Sequence, residues 1–186
     1  NATSELFEAS RSGSKEGAVK AVENGADINA VDEVWRGWTP LHWACYNGYA
    51  EVARVLVAAK AEINHQNSFG ETPLMLACAR GHLGLAKTLV MCGADLTMVD
   101  KKGATALHMA LHGGHSYLVD EVLREHPDQA SLRDAAGLQV RDWLAAVTAL
   151  EDLRERMQGH SSVHAARRFV DRARKEVSVR EGSQQQ

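Results

Sequence analysis

The sequence predicts an all-α fold in which short helix-turn-helix units stack side by side as a solenoid, and three observations carry that prediction. Gly37-Trp38-Thr39-Pro40-Leu41-His42-Trp43-Ala44-Cys45 returns as Gly70-Glu71-Thr72-Pro73-Leu74-Met75-Leu76-Ala77-Cys78 and again as Gly103-Ala104-Thr105-Ala106-Leu107-His108-Met109-Ala110-Leu111, with a step of 33 residues each time. A fixed period of this size marks units that cannot bury their apolar faces alone and must stack on neighbours. Thr-Pro pairs stand where a helix would begin. Finally, apolar columns recur within each unit at helical spacing, giving every unit one face to bury.

The first helix of each unit starts at the Thr-Pro pair. Proline in the first turn sacrifices no needed N–H and presets φ, while the preceding threonine caps free backbone donors. Thr39-Pro40 and Thr72-Pro73 carry this signal, and Ala106 replaces proline in the third copy. Ala44, Ala77 and Ala110 let neighbouring helices approach closely, and the Gly48, Gly81 and Gly114 column permits the positive φ of the turn into the second helix. In that second helix Val52, Leu85 and Leu118 form one column, Leu56, Leu89 and Val122 another, and Val57, Val90 and Leu123 a third. Gly25 and Gly93 close it in two copies. Lys60 and His126 replace glycine in the other two, where a left-handed residue costs about 1 kcal/mol, so looser ends are expected there.

Thr-Pro-Leu-His-x-Ala at this period, followed after a second apolar run by Gly-Ala-Asp, resembles the ankyrin repeat family over roughly residues 6–156. The resemblance implies a β-turn finger, two antiparallel helices and a tight return per repeat, and it implies binding in place of catalysis. The expected organisation is an ankyrin-repeat domain over 1–158, with an N-terminal cap (6–36), repeats 37–69, 70–102 and 103–136, and a C-terminal cap (137–158). Gly17, Ala18 and Ala21 stand in the first cap where bulkier core residues are expected, and Arg141 stands in the second where leucine belongs. A basic amphipathic helix with a polar end is expected over 159–186.

Composition limits what the chain does. It has 186 residues, 45% of them hydrophobic and 24% charged, at a net charge of −3, which fits a folded domain. No apolar run approaches the roughly 18 residues of a membrane span, and no secretory signal opens the chain, so an intracellular, cytoplasmic protein is expected. Opening at Asn1 without methionine fits a fragment of a longer chain. Cys45, Cys78 and Cys92 are odd in number and include no Cys-x-x-Cys pair, which reads as packed thiols in a reducing compartment. Asn1-Ala2-Thr3 matches a glycosylation acceptor by chance. No phosphate loop, nucleophile elbow or zinc-protease motif occurs, so neither an enzyme nor a cofactor is expected. His108, His112 and His115 invite a zinc hypothesis, but His42 and His108 hold the motif position whose ring bonds loop backbone in the family, and His82 and His115 hold its Gly-His position; no metal is expected.

Five of the ten aromatic residues, Trp35, Trp38, Trp43, Tyr46 and Tyr49, fall within fifteen positions. Here the segment Asp32-Glu33-Val34-Trp35-Arg36-Gly37 is two residues longer than its counterparts, which lengthens the first finger. By the family resemblance, finger tips and the exposed side of the first helix line a concave binding surface. That assigns Trp35, Arg36, Trp38, Tyr46 and Asn47 to it, then Phe69, Glu71 and Arg80, then Lys101, Lys102 and His112. Trp43, beside core Leu41, is expected to cover the thin N-terminal cap, whereas Trp35 and Trp38 are expected to meet a partner, since Trp, Tyr and Arg dominate binding hot spots. Residues 151–186 carry eight Lys/Arg against six Asp/Glu, compared with thirteen against eighteen before them. The interspersed acids and the single aromatic, Phe169, argue against nucleic acid as ligand. The family also implies Asn64 as a hydroxylation site, beside its ordinary part in loop hydrogen bonding. The function expected is a non-catalytic protein-protein interaction module. Its alternatives are a scaffold subunit docked through the basic C-terminal helix and a regulatory fragment of a larger enzyme.

Overall fold

A computed structural model describes residues 1–158. The basic tail expected over 159–186 lies outside the described residues. Asn1–Leu144 form one compact unit, and a second begins at Ala145, within the last helix.

The first unit is built from four helix pairs, α1 (Ala2–Ser12) with α2 (Lys15–Glu23), α3 (Pro40–Asn47) with α4 (Ala50–Ala58), α5 (Pro73–Ala79) with α6 (Leu83–Met91), and α7 (Ala106–His112) with α8 (Ser116–Glu125). A short 3₁₀ helix, Pro127–Ser131, and α9 (Val140–Gln158) follow. First helices pack on first helices, α1 on α3, α3 on α5 and α5 on α7. The core follows from the columns: Leu41, Leu74 and Leu107 are at most 1% exposed, and Ala44, Ala77 and Ala110 are fully buried between them. Val52, Leu85 and Leu118 close the core from the second helices, as do Leu56, Leu89 and Val122. Cys45 and Cys78 lie in this core as free thiols, and burial pushes the Cys78 thiol up to about 12.

The helix starts behave as the motif demands. Thr39 caps α3, and the chain enters the helix through Pro40 at its first turn. Imidazole Nε2 of His42 donates to the Glu71 carbonyl (3.0 Å), which fixes the tautomer and leaves Nδ1 to accept from the Thr39 N–H (3.2 Å). His108 repeats this arrangement, with Nε2 donating to the Leu138 carbonyl (3.2 Å). Each ring therefore ties one repeat to the finger of the next. Met75 occupies the same column, offering only its sulfur to the Thr72 N–H (3.4 Å).

Turns between paired helices need glycine for two reasons. Gly48 and Gly81 have φ of 78° and 74°, and a Cβ on either would sit 2.6 Å from the ring of His82 or His115. Those rings donate back to the carbonyls of Tyr46 and Ala79, both at 3.2 Å. His42, His108, His82 and His115 are thus committed to backbone.

One expectation is revised, the strained helix end at His126, and the two terminal segments gain detail. The N-terminal segment forms a helix pair, α1 with α2, in which Ala18 and Ala21 are fully buried. Lys60 does adopt the left-handed conformation (φ 69°), but His126 does not. At φ −131° it leads directly into the 3₁₀ helix through Pro127, so the strain expected there is absent. Where the repeat pattern puts leucine, Arg141 faces solvent and Val140, one position earlier, fills the core instead.

Candidate partner-binding face

Fingers are set by an Asx column that the repeat motif does not advertise. Asn67 Oδ1 accepts from the N–H groups of Phe69 and Glu71, Asp100 Oδ1 from Lys102 and Ala104, and Asp134 Oδ1 from Ala136 and Leu138, all at 2.8–3.0 Å. Each such turn also closes with two backbone bonds: the Asx N–H donates to the carbonyl four residues on (Asn67 to Glu71, Asp100 to Ala104, Asp134 to Leu138), and the N–H of Gly70, Gly103 or Gly137 donates to the Asx carbonyl. The first finger closes from Asp32 to Trp38, two residues longer, and accommodates the extra length with Arg36 at φ 56°. Neighbouring fingers are zipped at the tip, Ser68 N–H to the Arg36 carbonyl (2.8 Å) and Lys101 N–H to the Phe69 carbonyl (3.0 Å).

This frame brings the first group of expected site residues together. Trp38 packs at a tilt on Trp43 (4.6 Å between centroids) and edge-on against Tyr46 (5.2 Å), and Trp35 meets Trp43 edge-on at 5.1 Å. Arginines cap the cluster from both sides: Arg11 lies 4.7 Å over Trp43, and Arg80 lies 4.7 Å over Tyr46. Arg36 lies 5.3 Å over Phe69, at the next finger tip. The three indoles form one packed group, with Trp43 half-buried beneath Arg11 of the first helix. Trp35 nevertheless keeps 52% of its surface exposed and Phe69 46%. The Trp43 indole N–H is shielded and meets no acceptor among the described residues.

Other expected residues sit differently. Glu71 serves the frame, its carboxylate accepting from Asn67 Nδ2 (2.8 Å) and its carbonyl from His42. Asn47 is half-buried at the end of α3. Lys101 and Lys102 are exposed on the third finger, and the His112 ring stacks on Trp143 at 4.6 Å. Asn64 lies away from this group, in the return after α4, where Oδ1 accepts from the Asp95 N–H (2.9 Å). Asn29 does the same for Glu62 (2.9 Å), so both asparagines join successive returns.

Between the third and fourth fingers the face sinks into a hollow of about 550 Å³, lined by Ala79, Ala104, Met109, Gly113, Ala135 and Ala136 together with the polar Asp100, Lys102, His108, His112 and Asp134. Among the described residues, no carboxylate oxygen lies within 4 Å of the charged nitrogens of Arg36, Arg80, Lys101 or Lys102. Of the nearby acids only Asp32 is ion-paired among the described residues, with Arg11; Asp100 and Asp134 accept from neutral N–H groups, Asp134 also from Trp143 Nε1 (2.9 Å), and keep their charge, as do Glu71 and the exposed Glu33.

Arg11 and Trp143 were not anticipated as parts of this face. A signal existed for Arg11: with the two-residue insertion counted, it falls in the column of Tyr46, Ala79 and His112. Trp143 lies beyond the regular period, so no column marks it.

The family model described as ankyrin repeats (3 copies) matches residues 6–100. Protein phosphatase 1 regulatory subunit 27 of Homo sapiens is 44% identical over 66 residues, 36% of this chain and 42% of that protein. Ankyrin repeat domain-containing protein 40 of Mus musculus is 38% identical over 66 residues, 36% of this chain and 18% of that protein. Acyl-CoA-binding domain-containing protein 2 of Arabidopsis thaliana is 42% identical over 52 residues, 28% of this chain and 14% of that protein. The matched part thus spans less than half the length of each relative. Among the described residues no helix is long and apolar enough to cross a membrane.

Proposed function

The chain belongs to the ankyrin repeat family, and we propose that it is a non-catalytic interaction module that binds a protein partner across its finger tips and first helices. The observation that carries this reading is the run of ring contacts Trp35–Trp43–Trp38–Tyr46, with Arg80 over Tyr46, beside the pair of Arg36 over Phe69, while Trp35 and Phe69 stay about half exposed. Stacking pre-orders these side chains, so little rotamer entropy is lost when a partner covers them. Their residue types are those that concentrate binding energy. A repeat protein that acts through another protein also fits its relationship to a phosphatase regulatory subunit.

Affinity capture from native extract tests the proposal, comparing the intact chain with a Trp35→Ala/Arg80→Glu variant whose circular dichroism matches it. The main captured protein should be lost from the variant. Retention of that protein by the variant refutes the assignment of the face.

A further inference from the structure

The finger that carries Trp35 is the one whose own backbone holds it least. In the other three, a single side-chain oxygen of Asn67, Asp100 or Asp134 accepts two backbone N–H groups at 2.8–3.0 Å. Asp32 holds the same place in the first finger, but its Oδ1 accepts one N–H, that of Trp35, at 3.3 Å. The two extra residues put the closing residue, Trp38, six positions after Asp32, whereas Glu71 closes four after Asn67, so one short side chain no longer spans the turn. Bonds between fingers differ as well. The second finger is joined to a finger before it and a finger after it, through the Ser68 N–H and the Phe69 carbonyl; among the described residues the first is joined only to the one after it. A segment with fewer backbone bonds opens more readily, and Val34 at its tip is 86% exposed.

Resting on the reading of the face given above, we infer that Arg11 of α1 is the positioning residue that holds the first finger, and with it Trp35, in place for the partner. It reaches Trp35 by two routes. The guanidinium pairs with Oδ2 of Asp32, whose Oδ1 takes the Trp35 N–H, so one carboxylate ties α1 to the finger backbone. The same guanidinium lies 4.7 Å over the Trp43 ring, and that ring meets Trp35 edge-on at 5.1 Å. Backbone and ring of Trp35 are therefore both braced from α1. The Asp32 side chain is only 14% exposed, so water and salt screen the pair less than they screen one formed wholly at the surface. Arginine suits the place because its planar group meets the ring and the carboxylate at once, which an ammonium does less well. Recognition by the first finger thus depends on a helix that contributes no residue to the finger itself.

Amide hydrogen exchange of the intact chain, read residue by residue by NMR, tests the brace without a partner. In Arg11→Met the Trp35 and Gly37 amides should exchange at least about fivefold faster. The Lys102 and Ala104 amides of the third finger should keep their rates, which a general loss of stability would not allow. Asp32→Asn leaves an oxygen for the Trp35 N–H, as Asn67 has in the second finger, but removes the charge. It should speed the same amides, and the double variant should exchange no faster than Arg11→Met alone. Arg11→Lys, which keeps the charge, should recover most of the protection. Binding of the main protein captured by the intact chain should weaken at least about fivefold in Arg11→Met. Unchanged exchange at Trp35 and Gly37 overturns the inference, and so do additive effects of the two substitutions or a lysine no better than methionine. Weaker binding with unchanged exchange would mean that Arg11 touches the partner itself, which also overturns a positioning role. If the captured protein is lost by Trp35→Ala/Arg80→Glu but binds Arg11→Met normally, the face stands and the role of Arg11 falls. Normal binding to both variants removes the face, and the inference with it.

Discussion

The two ends of the finger-and-first-helix face share one backbone and differ in what stands on it. At the first finger three tryptophans, a tyrosine and two arginines pack against each other. At the third, alanines and glycine leave a hollow with His112 and Lys102 on its rim. The contrast separates two tasks that a repeat sequence interleaves. Columns that point into the stack keep their size from repeat to repeat, as Leu41, Leu74 and Leu107 do, since a neighbour on each side fixes the space. Columns that point to the fingers are released from that constraint, and their variation is where recognition is written.

If the division is right, core substitutions should act alike at both ends. Leu41→Ala and Leu107→Ala should each cost about 3 kcal/mol in urea unfolding, because both side chains are almost wholly buried. A cost below about 1 kcal/mol at one end would show that the frame is not equivalent there.

Acid provides the next largest effect. Burial holds the His42 imidazole down at about 4 from 6.5, opposed in part by its bond to the Glu71 carbonyl. The folded value lies below the unfolded one, so the contribution is complete above pH 6.5 and is lost as pH falls toward 4, where the unfolded chain takes up a proton that the folded chain refuses. At about 1.4 kcal/mol per pH unit this amounts to about 3 kcal/mol. Burial lowers His108 as well, so its share has the same sign. Replacing His42 with methionine, the residue its column has at Met75, should flatten the stability profile between those pH values; an unchanged slope would show that His42 does not set it.

Truncations within one column separate the filled end from the empty one. Trp43→Ala should cost about 2 kcal/mol, since the ring is half-buried and carries both indole contacts and Arg11. Met109→Ala, its counterpart beside the hollow, should cost about 1 kcal/mol. Equal costs would mean that the tryptophan cluster contributes nothing beyond ordinary packing.

Helix ends give the smallest effect. Lys60→Gly should raise stability by about 0.5–1 kcal/mol by relieving a left-handed lysine, and His126→Gly should bring no gain because His126 is not left-handed. Thermal unfolding of the pair checks both.

Legibility followed the same division. The three helix pairs from α3 to α8, the Gly48, Gly81 and Gly114 turns and the two extra residues of the first finger could be counted from the repeat columns, because each is a local backbone requirement repeated in register. His126 broke that reading, since Pro127 supplied a different exit that a missing glycine does not reveal. The stack of Arg11 on Trp43 depends on side chains from two repeats that the insertion shifts out of the simple period. The hollow was harder still. Its residues are small and carry no motif, so only the packing around them shows the space.

The most direct test of the partner-binding face is site-specific photocrosslinking, with a benzophenone side chain placed at Phe69 on the finger face or at Tyr117 of α8, a residue 65% exposed to solvent. The captured partner should crosslink strongly from position 69 and not from position 117. Crosslinking from 117 with silence at 69 would place the partner on the second helices and contradict the account.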